Sequence, residues 1–450
     1  MHIRRYLHLI TQQKKLHQLF FPIFFELLFV MLTGAVDTLM LSSVGDQAVG
    51  AVGTANTYIG LFVMMFSIIS SGVMAVMTQY IGARRPGVAR QAMTLGLMFN
   101  LTLGAAITLA LTCGAELILS TVGIASQLMA DARTYMQVVG FFCVCNAVCP
   151  IFSGFLRSFG HATPTLFATV CANLVNVCLN ALFLYGFHWG VWGVALATGI
   201  SRLVNLFWLM IATSRRIRVS KDPHPLPAQL LLGQIVKVGF PAAMESCLYC
   251  MAITLMTRFL NQMDDTGMQA SARAYTIQVT NFSYTASGAL AQGNAILAGW
   301  RIGAGKLDEC HRGTRKAGLL AVLLGAGSAT IFALASKPLI GLFTDDPQMI
   351  HLVSILLTIN IALEVGRALN LVYGSALKAS GDAVFPMVIA VVFVFLCAAG
   401  GTWFFGIHLG WLAVGAYVSM ALDECVRAVG MVLRWHSGKW KEHSFITGKQ

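Results

Sequence analysis

Long apolar blocks separated by short polar, basic or glycine- and proline-bearing clusters account for nearly the whole chain. They fall near residues 17–43, 48–81, 92–120, 132–157, 163–187 and 189–213, then 234–262, 267–300, 314–342, 348–379, 384–406 and 408–435. Each is long enough to cross a bilayer, which needs about 20 apolar residues in a helix. The pattern predicts an all-α membrane protein with twelve transmembrane helices.

The two halves repeat each other at a spacing of about 220 residues. Pro22 and Glu26 recur as Pro241 and Glu245, and Ile81-Gly82-Ala83 as Ile302-Gly303-Ala304. Leu156-Arg157 with Gly160 and Pro164 recurs as Leu377-Lys378 with Gly381 and Pro386, and Gly193 as Gly415. Six helices per repeat is an even number, so both repeats share one orientation and two pseudo-symmetric six-helix bundles are expected. The division reads as an N-terminal lobe over 1–213, an interlobe linker over 214–233, a C-terminal lobe over 234–435 and a polar tail over 436–450. The linker is basic and carries Pro223, Pro225 and Pro227, so it reads as a tether.

Composition agrees with a bilayer environment: 57% of residues are hydrophobic, 11% are charged and mean hydropathy is +0.73, whereas a soluble domain carries about 25% charged residues. The net charge of +12 is not a nucleic-acid signature, because the basic residues alternate loop by loop. Arg4, Arg5, Lys14 and Lys15 precede the first span. Arg84, Arg85 and Arg90 follow the second, Arg157 the fourth, Arg215, Arg216, Arg218 and Lys221 the sixth, Arg301, Lys306, Arg312, Arg315 and Lys316 the eighth, Lys378 the tenth, and Arg434, Lys439, Lys441 and Lys449 the twelfth. The opposite loops hold Asp46, Asp131, Asp264, Asp265, Asp345 and Asp346. By the positive-inside rule both termini are cytoplasmic, in a multi-pass protein of the inner cell membrane. The first apolar block is too long for a cleaved leader and reads as the first span. There is no phosphate-binding loop, so transport would draw on an ion gradient or a partner.

An ionisable side chain in hydrocarbon costs several kcal/mol unless paired or wet, so each is a functional candidate. Asp37 stands in an apolar stretch of the first span. Glu26, eleven residues earlier, falls on nearly the same helical face, about 16 Å away, near enough to the cytoplasmic end to be solvated. Glu245 is its counterpart in the second half and the strongest acid there. Glu364 and Arg367, three apart in the tenth span, can pair on one face. Asn173, Asn176 and Asn180 form a polar stripe on the fifth span, which Tyr135 of the fourth can approach. Gln278, Asn281 and Tyr284 form a similar stripe on the eighth. Loss of hydration favours the neutral form of a carboxylic acid, so acids of this kind can trade a proton for an organic cation or metal ion. Such stripes also join helices in lipid.

Several of these segments resemble the multidrug and toxic compound extrusion (MATE) family. In the first half these are Val36-Asp37-Thr38 with Gly45, Gln79-Tyr80-Ile81-Gly82-Ala83-Arg84, and Asn176 through Asn180 with Gly186. In the second they are Phe240-Pro241-Ala242-Ala243-Met244-Glu245 and Ala376-Leu377-Lys378-Ala379-Ser380-Gly381-Asp382 with Pro386. The resemblance spans nearly the whole chain. It implies two six-helix bundles of the MATE/MOP type that export drugs or organic cations against protons or sodium ions, without another cofactor and without enzymatic chemistry. It places a first-lobe ion site around Asp37, Asn176, Asn180 and Tyr135, and a second around Glu245 and an acid of the tenth span. Two positions depart from it. Asn180 stands where several members have a second aspartate, and Arg367 where one branch has its tenth-span acid, with Glu364 one turn away. Fewer fixed acids favour protons over sodium, while sodium at Asp37 or Glu245 stays open. The alternative cargo, a lipid-linked saccharide, calls for several cavity-facing cations, and only Arg202, Arg258, Arg273 and Arg367 are expected away from the cytoplasmic face. Nothing in the sequence requires more than a monomer.

Overall fold

The structure, a computed structural model, describes residues 15–121, 124–220, 222–264 and 266–446. Of the charges that set the expected orientation, Arg4, Arg5, Lys14, Lys221, Asp265 and Lys449 lie outside them.

Among the described residues twelve long helical segments follow one another: α1 (Leu16–Ser42), α2 (Asp46–Gly82), α3 (Pro86–Cys113), α4 (Ser126–Phe141 and Cys143–Ser158), α5 (Thr163–Gly186), α6 (Gly190–Arg216), α7 (Ala228–Asn261), α8 (Met268–Gly303), α9 (Leu307–Leu334), α10 (Pro347–Ser380), α11 (Val384–His408) and α12 (Leu412–His436). Among the described residues, nine of these are long and apolar enough to cross a membrane, and the bent pair forming α4 makes a tenth. The other two, α8 and α12, are equally helical but more polar. α8 carries Ser, Thr, Gln and Asn throughout, and α12 carries Asp423, Glu424 and Arg427 in its interior. The two halves of α4 meet at 44°. Gly199 of α6 lies so close to the Phe142 ring at that bend that a Cβ has no room.

The described residues form two compact units, one within Phe21–Gly239 and the other of Lys15–Phe20 with the residues from Phe240 onward. Both boundaries fall one residue before a proline within a helix, Pro22 in α1 and Pro241 in α7. A proline there removes one backbone hydrogen bond and kinks the helix. The turns preceding each proline pack in the other unit. Leu16 and Leu19 lie against Gly293 of α8, and Ile235 of α7 lies against Gly72 of α2, where no side chain fits between the backbones.

The duplication is written in the backbone too. Positive φ angles recur at matching places: Gly45 and Gly267, Arg84 (61°) and Gly305 (72°), Gly160 (79°) and Gly381 (97°), His188 (55°) and Gly410 (73°), and Gly190 (56°) and Leu412 (52°). In three of these pairs only one member is the glycine that such a conformation favours, so each turn geometry persists where its residue has changed.

The segment between α6 and α7 is held along its length. Arg85 reaches Asp222 (3.3 Å) and the His224 carbonyl (2.6 Å), Arg90 the Val219 carbonyl (2.6 Å), and Gln91 both donates to and accepts from Leu226. A proline-rich segment that reads as a tether is therefore docked on the start of α3. The tail after α12 is docked as well. Trp440 is fully buried, stacks on Trp435 at 4.2 Å and donates its indole N–H to the Trp435 carbonyl.

Candidate functional site

In the first unit Asp37 of α1 accepts a hydrogen bond from the Asn180 amide at 2.8 Å, and the same amide reaches the Asn176 oxygen at 3.3 Å. One helical turn separates the two asparagines on α5, so a single face delivers both. Asn180 is fully buried, Asn176 nearly so, and Asp37 is half-buried. Tyr135 of α4 is buried beside this group. Its hydroxyl lies in reach of Asn56 and Thr198, and it feels the charges of Asp37 and Arg202. The structure thus brings together Asp37, Asn176, Asn180 and Tyr135. Asn173 leaves the stripe and donates instead to the Phe29 carbonyl at 3.1 Å.

A cavity of about 510 Å3 opens in the same unit, lined by Asn56 of α2, Asn146 and Ser153 of α4, Thr165 and Thr169 of α5, and Thr198, Arg202 and Asn205 of α6. Glu26 and Arg157 also line it. Glu26 is not solvated as its position near the end of α1 suggests. It is 8% exposed, pairs with Arg157 at 2.5 Å and accepts from the Thr165 hydroxyl at 2.6 Å. Its burial follows from the packing of α4 and α5 over that end of α1, which one-dimensional position along a helix does not reveal.

The second unit repeats the pair. Glu245 of α7, the strongest acid candidate of the second half, binds Lys378 of α10 at 2.7 Å. Sequence repetition of Glu26 as Glu245 and Arg157 as Lys378 contained this pairing. It becomes visible only when each acid is matched with the base of the fourth span in its own lobe.

The larger charged cluster of this unit lies between α10 and α12. Glu364 binds Arg367 at 2.5 Å, as their spacing suggests. Arg367 also reaches Glu424 (3.5 Å), and Arg427 clamps Asp423 (2.6 Å) and Glu424 (3.1 Å). Asn370 donates to Glu424 at 2.7 Å. The Arg367 guanidinium lies over the Tyr284 ring at 5.7 Å and that of Arg427 over Tyr249 at 6.0 Å. Three carboxylates thus face two guanidiniums. Glu364 has no side-chain exposure and Asp423 has 3%. A Cβ on Gly366 would stand 2.6 Å from the Glu424 backbone, so glycine there permits the close approach that builds the cluster. Gln278 is exposed and Asn281 half-buried on α8; of the stripe proposed there, only Tyr284 is placed at this cluster.

Asp423, Glu424 and Arg427 are absent from the sequence candidates, as is Arg427 from the cations counted away from the cytoplasmic face. The available signal was their spacing of three and four in an otherwise apolar span. Arg202 enters the sequence reading only among the cations that bear on a lipid-linked cargo. Its spacing from Thr198 and Asn205 marks the polar face of α6.

Comparison with known proteins fits this architecture. The MatE family profile matches residues 22–182 and 241–403, one match in each half. The uncharacterized transporter YisQ of Bacillus subtilis is 32% identical over 432 residues, covering 94% of each chain. A probable multidrug resistance protein NorM of Thermotoga maritima is 23% identical, covering 97% of this chain and 94% of its own. Among solved structures, a MATE in the bent conformation superposes with a TM-score of 0.88 at 17% identity, covering 97% of this chain and 98% of the other.

Proposed function

We propose, from the premise that this chain belongs to the MatE family, that it exports drugs and organic cations by secondary active antiport, with Asp37 as the group that exchanges the coupling ion for substrate. The observation that carries the reading is the Asp37–Asn180–Asn176 arrangement: a carboxylate in an apolar helix, held by one amide whose orientation a second amide fixes. The multidrug resistance name of the NorM relative supports the substrate class.

In this scheme Asp37, when ionised, offers one negative charge to an organic cation. A proton arriving from outside neutralises that charge, so the cation loses its counter-charge and leaves. Release of the proton to the cytoplasm restores the binding form. Each ligand shifts the inward/outward equilibrium only by its difference in affinity for the two states, and a group that binds proton or cation but not both supplies such a difference. Amide oxygens beside the carboxylate also suit sodium, a hard cation that prefers oxygen donors, as the alternative coupling ion. The protein works as a monomer in the inner membrane with both termini cytoplasmic.

Uptake of rhodamine 6G into everted membrane vesicles, driven separately by imposed proton and sodium gradients, tests the reading. Uptake under the proton gradient alone is the expected result. Absence of uptake under either gradient sinks it.

A further inference from the structure

Arg202 is a permanent cation in the middle of α6, on the wall of the first-unit cavity, and the electrostatics of that cavity turn on it. The other charges lining the space, Glu26 and Arg157, cancel each other across 2.5 Å. Among the described residues Arg202 itself makes no ion pair and no side-chain hydrogen bond. The Asp37 carboxylate is near enough for its charge to be felt, yet remains beyond ion-pair distance. The side chain is exposed to the open space and not packed away.

An intramembrane guanidinium without a partner is costly unless it serves a ligand or pathway. Its five donors in a planar fork suit a carboxylate or phosphate, which they bind in bidentate fashion. Neutral hydrogen-bonding groups surround it. Thr198 and Asn205 lie one turn to either side on α6, and Asn56 and Asn146 come from α2 and α4; their hydroxyl and amide N–H groups are able to donate to an anion. The volume, about 510 Å3, is that of a small-molecule site.

We propose that this cavity binds a ligand through an oxyanion, a carboxylate or a phosphate, seated on Arg202 with Asn205 and Asn146 beside it. Combined with a cationic group directed to Asp37, this favours zwitterions over simple cations. The inference rests on the export reading above for its biological sense, but binding tests it separately from transport. The oxyanion can belong to a free small molecule or to the headgroup of an anionic phospholipid, and the arms of the test separate these sources.

The probes are rhodamine 6G, an ester that is a simple cation, and rhodamine 19, the same chromophore with the free carboxylate. Binding of each to the full-length protein in phosphatidylcholine nanodiscs is followed by fluorescence anisotropy. Loss of a hydrogen-bonded charge pair corresponds to a weakening of about tenfold or more. Arg202→Gln should therefore weaken rhodamine 19 by at least about tenfold, Arg202→Lys should retain part of the affinity, and rhodamine 6G should bind both variants at least as well as wild type. If phosphatidylglycerol in the nanodisc weakens rhodamine 19 on wild type but not on Arg202→Gln, the headgroup occupies the same seat. If it has no such effect, the seat belongs to soluble ligands. Equal affinity of rhodamine 19 for wild type and Arg202→Gln, or equal loss of both dyes, overturns the proposal. Binding of rhodamine 6G without rhodamine 19 overturns this inference alone, whereas failure of both dyes to bind wild type removes the export reading with it.

Discussion

Replacing Arg427 by Met leaves the α10–α12 cluster with three carboxylates facing the single guanidinium of Arg367. Arg427 contacts Asp423 through Nε at 3.0 Å and Nη2 at 2.6 Å, and Glu424 through Nη2 at 3.1 Å, all with the side chains below a tenth exposed. Removing one partner of a buried ion pair costs about 3–5 kcal/mol, because the remaining charge is left in a low dielectric without compensation. Replacing the pair together, as Asp423→Leu with Arg427→Met, removes one charge of each sign and leaves apolar groups of similar volume. That exchange is near neutral in buried pairs, so the double variant should lose less than about 2 kcal/mol. The double variant should therefore retain at least about 1 kcal/mol that Arg427→Met alone loses. The assay is unfolding of the purified protein from dodecyl maltoside micelles into SDS, followed by tryptophan fluorescence, with wild type, both single variants and the double variant measured together. Equal losses in Arg427→Met and the double variant would refute the reasoning, since the penalty would then come from lost packing and not from an orphaned charge.

The two pseudo-symmetric ion pairs should differ in strength. Arg157→Met orphans Glu26 in a pair whose side chains are 12% and 10% exposed, whereas Lys378→Met orphans Glu245 in one whose side chains are 27% and 22% exposed. The first should cost about 3 kcal/mol and the second about 1 kcal/mol or less in the same unfolding assay; a larger loss in the second contradicts the burial argument. Arg84, exposed with φ near 61°, stands where the other lobe has Gly305. Arg84→Gly should stabilise by about 1 kcal/mol through relief of left-handed strain, and a measurable destabilisation would show that the side chain makes a contact that matters.

Much of the architecture was legible because the bilayer makes one demand, a long apolar helix, that blocks of residues meet one by one. The spans at 163–187 and 384–406 end within two residues of α5 and α11 for this reason. What stayed hidden was pairing. Glu26 looked solvated because its distance along α1 said nothing of Arg157 and Thr165 arriving from α4 and α5. The Asp423–Glu424–Arg427 group is hidden for a similar reason, since its partners arrive from α10 and nothing along α12 itself announces them. Spacing alone marked Asn176 and Asn180 as one polar stripe and Asp37 as an isolated acid; it was the family resemblance that grouped them, and the structure joins them by hydrogen bonds. Arg202 stood in plain view, and its meaning required the cavity.

The most direct test of the central claim follows protons released when rhodamine 6G binds the purified protein in weakly buffered, mildly acidic solution, where the carboxyl carries its proton before the dye arrives, in wild type and Asp37→Asn. Exchange at Asp37 predicts release of protons in proportion to bound dye in wild type and none from the variant. Release undiminished in Asp37→Asn, or dye binding to wild type without any release, would contradict proton exchange at this carboxylate.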